Sequence, residues 1–293
     1  MQNASRKVLI SGANGFVGTN LCAYLEERGV EVAKLDVSNA DFTWEELGKI
    51  DFAGFDAVIH LAGKAHDLKK VACEKEYFDI NLGLTQQLYG AMEAKSPGAR
   101  FIYFSSIKAL DSDTPYARSK RAAEEFLSAK PNVVVLEPAM IHGPGNKGNL
   151  NLLVKVVRRR IPWPLAAFEN RRSFTSIGNI CAIVFAFLSP VAPAGKYPVA
   201  DDEAVSTNRI IALIAESFGF KPRLWKISPA LIRFAARVGD IFHLPLDTER
   251  LGKLAGNSVV DNRSVKAALG WDKLPIAAED GLKTTLIAFG GCQ

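Results

Sequence analysis

Cysteine is scarce in this 293-residue chain, with four residues far apart at Cys22, Cys73, Cys181 and Cys292. No pair has the spacing of a metal site or a redox motif, so no metal is expected and the thiols read as reduced, in a cytoplasmic protein. Long apolar runs are missing too. The most apolar stretch, residues 180–188, is too short to span a bilayer and stops at Pro190, so no membrane partner is expected. Residues 1–7 are polar and lead straight into an apolar run, which argues against a signal peptide. Internal repeats and low-complexity tracts are absent. No block of one charge sign dominates: the formal net charge is +5 and the densest basic run is Arg158-Arg159-Arg160. That run reads as a solvated helix face rather than a nucleic-acid contact.

What is present is an ordinary globular composition, 48% hydrophobic and 23% charged, on a chain long enough for one large domain or two unequal ones. In the first half, short apolar runs at 7–11, 30–36, 56–62, 100–105 and 132–138 alternate with helical patterns at 15–28, 77–95 and 116–130. The runs are apolar throughout rather than alternating, as strands of a parallel sheet buried on both faces are. The fold class is therefore α/β, a Rossmann-type doubly wound parallel sheet. After residue 143 a loop, Gly143 to Gly148, leads into helices at 150–160, 206–218 and 228–241, with a strand near 196–200. Residues 1–143 with about 174–203 are assigned to the dinucleotide-binding domain. Residues 144–173 and 204–293 form a smaller, mostly helical substrate-binding part.

The first strand runs into Gly12-Ala13-Asn14-Gly15-Phe16-Val17-Gly18 and then a helix. Gly12 permits a tight turn, Gly15 lets backbone approach a pyrophosphate, and Gly18 lets the helix pack close to the strand. The helix N-terminus offers N–H groups and a positive dipole end to phosphates. Asp36 closes the second strand at the distance expected for an acid on the adenosine ribose. No arginine follows it immediately, so NAD is expected rather than NADP. Further on, Tyr116 and Lys120 lie four apart at the start of a helix, after a strand ending in Ser105-Ser106. Residues at i and i+4 share one helical face. Moving hydride at a carbinol carbon requires a proton to move on its oxygen, and a free tyrosine is too weak a base near neutral pH. A lysine ammonium beside it lowers the phenol's pKa.

The Gly-x-x-Gly-x-x-Gly spacing followed by Tyr-x-x-x-Lys resembles the extended short-chain dehydrogenase/reductases, the NAD-dependent epimerase/dehydratase family of UDP-sugar 4-epimerases and 4-ketoreductases. The resemblance runs from residue 7 to about 285. It implies that Leu61, Ala62 and Gly63 border the dinucleotide and that Asn81 lies near it. Ser106 shares the proton transfer and binds the substrate oxygen, Ser105 lies nearer the nicotinamide, Lys120 holds its ribose, and Pro138 stands at the nicotinamide end. It further implies that Asn146, Lys147 and Asn149 meet a nucleotide diphosphate, which Arg172 and Arg250 grip as planar forks. A homodimer through the helices at 77–95 and 116–130 is implied as well. Ser106-Ile107-Lys108 and the Arg171 to Phe174 segment are most similar to enzymes of bacterial surface polysaccharides acting on UDP-N-acetyl-6-deoxyhexoses.

The chain departs from the pattern in three places. The segment from Ser106 to Tyr116 is short, Glu137 stands where an arginine is usual, and Ile141-His142 replaces Val-Tyr. His142 reads as a satisfied loop histidine. The expected activity is oxidation or reduction at C4 of a nucleotide-linked sugar, by an epimerase or a 4-keto-sugar reductase. The alternatives are a reductase of a non-nucleotide carbonyl compound and a non-catalytic dinucleotide-binding sensor.

Overall fold

The computed structural model describes residues 6–65, 73–146, 148–242, 244 and 246–290, the side chain of Asn149 apart. In chain order the first elements are β1 (Lys7–Ser11), α1 (Phe16–Glu26), β2 (Glu31–Asp36), β3 (Phe42–Thr43) and β4 (Ala57–His60). There follow α2 (Glu74–Phe78), α3 (Leu84–Lys95), β5 (Arg100–Phe104), α4 (Lys108–Asp111), α5 (Pro115–Leu127) and β6 (Val133–Pro138). Next come β7 (Met140–His142), α6 (Asn149–Arg158), β8 (Phe174–Ser176), α7 (Ile177–Phe187) and β9 (Gly195–Val199). The last are α8 (Thr207–Ser217), α9 (Pro229–Phe242), α10 (Thr248–Ala255), α11 (Arg263–Leu269) and α12 (Ala278–Ala288).

The chain divides into two compact units. One comprises the residues up to Ala139, with Asn179–Val199 and Asp261–Lys273. It holds a seven-stranded sheet in the order β3-β2-β1-β4-β5-β6-β9, parallel at every pairing. Strands β1, β4, β5 and β6 are buried almost throughout, because helices cover both faces of a parallel sheet. Leu9, Val58, Phe101 and Tyr103 from the sheet pack with Leu88, Tyr89 and Met92 of α3 and Ala123 and Leu127 of α5. Burial of such side chains stabilises by about 1.5–3 kcal/mol each before the entropy of ordering them is counted.

The second unit comprises Met140–Gly178, Ala200–Val260 and the residues from Leu274 onward. It contains a two-stranded parallel ladder, β7 with β8. Its apolar centre is built by α6, α8 and α12 through Leu150, Val154, Ile210, Ile214, Leu282 and Leu286. A smaller cluster joins Ile232 and Ala236 of α9 to Leu251 of α10 and to Leu165.

Several sequence expectations differ from what is observed. Residues 174–178 and 200–203 sit in the second unit, and 261–273 return to the sheet unit, where α11 lies against β9. The stretch between β2 and β4, for which the apolar pattern marks no element, adds β3 at the sheet edge and two short 3-10 turns, Trp44–Lys49 and Phe52–Gly54. The pattern at 77–95 is not one regular helix. A wide π-type turn at Asp79–Gly83 separates α2 from α3 and turns Asn81 inward, fully buried. Such turns recur at functional positions because the extra residue re-aims a side chain. Helix α5 opens as its sequence dictates. Pro115 occupies the first turn and the Thr114 hydroxyl caps the Ala117 N–H at 3.3 Å.

The glycine turn is a tight junction of the sheet unit. Gly12 has φ +71°, where a Cβ is strained, and a Cβ at Gly18 would stand 2.4 Å from the Gly12 carbonyl oxygen. Because the obstructing atoms are backbone, relief requires α1 to move off β1. Gly18→Ala is expected to lower stability by about 1–3 kcal/mol. Urea denaturation of the variant measures this, and an unchanged midpoint contradicts the tight junction.

Candidate active site

The glycine turn is built from backbone hydrogen bonds. The Gly12 N–H donates to the Leu35 carbonyl at 2.9 Å and the Gly15 N–H to the Gly12 carbonyl at 3.1 Å. Helix α1 then starts at Phe16 with Gly15 as its N-cap and no side-chain cap. The opening N–H groups at Phe16, Val17 and Gly18 therefore face an anion-binding position. Asp36 stands at the end of β2, where its carboxylate accepts from the Asn14 N–H at 2.9 Å and the Val37 N–H at 2.8 Å. The Asn14 amide in turn donates to the Ser38 carbonyl at 2.7 Å. Each Asp36 oxygen has a second lone pair for a further donor.

Behind the turn runs a buried hydrogen-bond chain that the sequence did not reveal. The Ala62 N–H donates to Ser11 Oγ at 3.4 Å, and Ser11 Oγ lies 2.6 Å from His60 Nδ1. His60 Nε2 lies 3.0 Å from Thr85 Oγ1, whose proton goes to the Asn81 carbonyl at 2.7 Å. With the threonine proton committed, His60 carries its proton on Nε2 and accepts from Ser11 on Nδ1. Burial, and then the charge of Lys120, hold the His60 pKa down to about 3, so the ring is neutral. The one signal in the sequence was a histidine closing an otherwise apolar strand. Asn81 completes the chain: its side chain accepts from the Lys64 N–H at 2.8 Å and donates to Ser119 Oγ at 2.9 Å. The loop carrying Leu61, Ala62 and Gly63 is thereby tied to α5. A Cβ at Gly63 would stand 2.9 Å from Asn81 Oδ1 and 3.1 Å from Lys120 Nζ.

Tyr116 and Lys120 share one face of α5. Lys120 is buried, donates to the Phe104 carbonyl at 2.7 Å and lies 4.7 Å over the Tyr103 ring. Burial lowers its pKa to about 8, with the Glu124 charge acting in the opposite direction. Tyr116 differs from expectation. Burial raises its pKa, and a hydrogen bond with Ser106 opposes that rise. The lysine's proton is turned to Phe104, so desolvation governs the phenol. Ser105 also differs. Its hydroxyl is buried and donates to Glu124 rather than standing open toward a nicotinamide position. Pro138 is buried at the end of β6 and its carbonyl accepts from the Ile107 N–H at 3.3 Å. Glu137, the residue at the usual arginine position, is buried and lies 3.3 Å from Lys196 Nζ of β9.

In the second unit, the proposed diphosphate residues are engaged with protein. Arg172 donates to the Lys253 carbonyl near the end of α10, where a cation meets the negative end of the helix dipole. Burial pushes its pKa down. Arg250, in the first turn of α10, lies 3.4 Å from its N-cap, Asp247. Asn146 is turned into its own loop, its side chain accepting from the Gly148 N–H at 2.7 Å. Lys147 and the side chain of Asn149 lie outside the described residues. His142 is buried, with Nδ1 2.9 Å from Thr285 Oγ1 and Nε2 3.5 Å from Asp201. Among the described residues there is no cluster placed to hold a metal ion and no helix long and apolar enough to cross a membrane.

The sequence pattern of the NAD dependent epimerase/dehydratase family matches residues 8–197. The chain is 30% identical to the UDP-glucose 4-epimerase of Vibrio cholerae over 322 residues, covering 97% of this chain and 95% of that protein. It is 42% identical to the UDP-2-acetamido-2,6-beta-L-arabino-hexul-4-ose reductase of Pseudomonas aeruginosa over 123 residues, covering 41% of this chain and 30% of that protein. Among solved structures, the Bordetella bronchiseptica enzyme WbmG in complex with NAD superimposes with a TM-score of 0.74. The sequence identity is 20%, over 99% of this chain and 95% of that one. The glycine cradle, whose positions 12 and 18 leave no room for a Cβ, and the uncapped start of α1 fit a dinucleotide.

A neutral buried histidine ties stability to pH with a definite sign. Its folded pKa lies below the unfolded value near 6.5, so the unfolded chain binds the extra proton. The contribution of His60 is whole above pH 6.5 and falls as the pH drops toward 3. In that window the stability gap between wild type and His60→Gln should narrow by about 1.4 kcal/mol per pH unit. Denaturation midpoints at pH 7 and pH 5 check this; a constant gap contradicts the neutral assignment.

Proposed function

This chain belongs to the NAD dependent epimerase/dehydratase family, and on that premise we propose that it acts at C4 of a nucleotide-linked sugar, as a 4-epimerase or a 4-keto-sugar reductase. The observation that carries the reading is Tyr116, beside Ser106 and one helical turn before the buried Lys120, in the unit that holds the glycine cradle. The curated relatives point to the substrate class, one being a UDP-sugar 4-epimerase and one a UDP-keto-sugar reductase.

NAD, when bound, supplies the acceptor and donor of hydride. The chain's own residues do the rest. Gly12, Asn14, Gly15 and the N–H groups of Phe16, Val17 and Gly18 hold the pyrophosphate, and Asp36 takes the adenosine ribose. Leu61, Ala62 and Gly63, held by Asn81, wall the dinucleotide. In the reductive direction Tyr116, kept a phenol by burial, gives its proton to the C4 oxygen as hydride reaches carbon. In the oxidative direction it takes that proton back. Ser106 holds the same oxygen, and Lys120 supports the phenolate by charge. Arg172 and Arg250 bind the diphosphate, which requires the Arg172 guanidinium to share or leave the Lys253 carbonyl.

Tyr116→Phe removes the proton carrier alone. Turnover should fall by about 10²-fold or more, while the affinity for NAD, measured by calorimetry, stays within a few-fold. A variant with full turnover rules Tyr116 out. A thermal-shift screen of UDP-, dTDP- and GDP-sugars with NAD present tests the substrate class. Stabilisation by sterols or other free carbonyl compounds, and by no nucleotide sugar, reverses the reading. Asp36→Ala should narrow the preference for NAD over NADP, because the lost carboxylate no longer repels a 2′-phosphate; an unchanged ratio of dissociation constants excludes Asp36 as the selector.

A further inference from the structure

Lys120 has a neighbour on its own helix that the reaction scheme leaves unused. Glu124 is four residues on, so the two side chains lie on one face of α5. Its carboxylate is buried and receives two donors. Ser105 Oγ of β5 donates to one oxygen, and Lys196 Nζ of β9 lies 3.2 Å from the other. The same ammonium lies 3.3 Å from Glu137 Oε1 of β6. Sheet register brings this about: β9 pairs with β6 so that Lys196 stands opposite Val135 and Pro198 opposite Glu137.

Glu137 is 1% exposed, and its Oε1 has no hydrogen-bond partner among the described residues. Lys196 is 48% exposed at its side chain and, with Arg121 and Glu124, lines a cavity of about 510 Å³. The cluster thus runs from solvent to the interior of the site. Two buried carboxylates that share the Lys196 ammonium cannot both stay ionised cheaply away from water. Only the shared Lys196 ammonium approaches Glu137, without a well-directed hydrogen bond to Oε1, and burial followed by the Glu124 charge pushes its pKa up. Glu124 also takes the Ser105 hydroxyl, a donor that Glu137 does not share. Of the two carboxylates, Glu137 is therefore the one that favours its proton.

We propose that Glu124 is the positioning residue of Lys120: its buried carboxylate, fixed by Ser105 and by Lys196 of β9, supports the Lys120 ammonium one helical turn away. The groups facing Lys120 are Tyr103 and the Phe104 carbonyl from β5, neutral His60 from β4, and Tyr116 and Glu124 from α5. Those facing Glu124 are Ser105 and Tyr103 from β5, Lys120 from α5, Glu137 from β6 and Lys196 from β9. Glu124 is the carboxylate among the groups facing Lys120, and its charge opposes the fall in the Lys120 pKa. The proposal rests on the reading that Lys120 serves Tyr116, but its direct test does not.

That test is a pH titration of the full-length protein with ¹³C-labelled lysine side chains, followed by NMR, with the Lys120 signal identified by its loss in Lys120→Arg. The wild-type midpoint is expected near 8. In Glu124→Gln it should fall by about one pH unit or more, and in Lys196→Met it should move the same way. Glu137→Gln, which imitates the protonated acid, should leave it in place. An unmoved midpoint in both Glu124→Gln and Lys196→Met overturns the proposal, as does a Glu137→Gln shift equal to that of Glu124→Gln. If Glu124→Gln does not fold, the half-exposed Lys196→Met decides alone. The alkaline limb of the kcat profile should follow the NMR midpoint, with KM for the sugar unchanged. A midpoint that moves while the kcat profile stays still upholds the role of Glu124 and refutes the catalytic reading of Lys120.

Discussion

The site in the sheet unit hangs on one buried chain of hydrogen bonds, from the Ala62 N–H through Ser11, His60 and Thr85 to Asn81, and from there to Lys64 and Ser119. It crosses β1, the end of β4, the π-type turn and α5. Every proton in it has an acceptor, which allows a polar chain to lie inside a dry core. A fully satisfied network selects one arrangement, because breaking any link leaves a buried polar group unpaired. The loop after β4 is therefore held at a set distance from both the glycine turn and Lys120. The wide turn at Asp79–Gly83 belongs to the same device, since it turns the Asn81 side chain inward.

Around this frame the electrostatics are governed by desolvation. Burial shifts Lys120, Tyr116 and Glu137 each toward its neutral form. The ammonium of Lys120 is kept by a carbonyl, an aromatic face and a carboxylate. In the second unit the candidate phosphate arginines are satisfied by their own protein: Arg172 by a helix-end carbonyl, Arg250 by its N-cap carboxylate.

Some of this was plain in the order of residues. Gly12, Gly15, Gly18, Tyr116 and Lys120 stand at spacings of three or four along one turn or one helix, and local geometry enforces such spacings. Asp36 was legible because a strand's length sets where its end falls. Asn81 was found by resemblance, but the turn that buries it was not, since a helical periodicity continues unbroken through residues 79–83. Glu137 read only as a departure from the family pattern. Its partner, Lys196, lies 59 positions away and meets it by strand register alone.

The amino-acid sequence by itself determined the parallel sheet, the dinucleotide turn and the tyrosine–lysine face of α5. Each is a matter of apolar runs or of residues a few positions apart. Tertiary structure alone decided which side chains those features meet. It took Ser105 to Glu124 and Asn146 into its own loop, made His60 a neutral link, and returned residues 261–273 to the sheet unit. The reason is physical. Burial and hydrogen-bond partnership depend on which distant segments pack together, and pKa values and side-chain orientations follow from that packing rather than from neighbours in the chain.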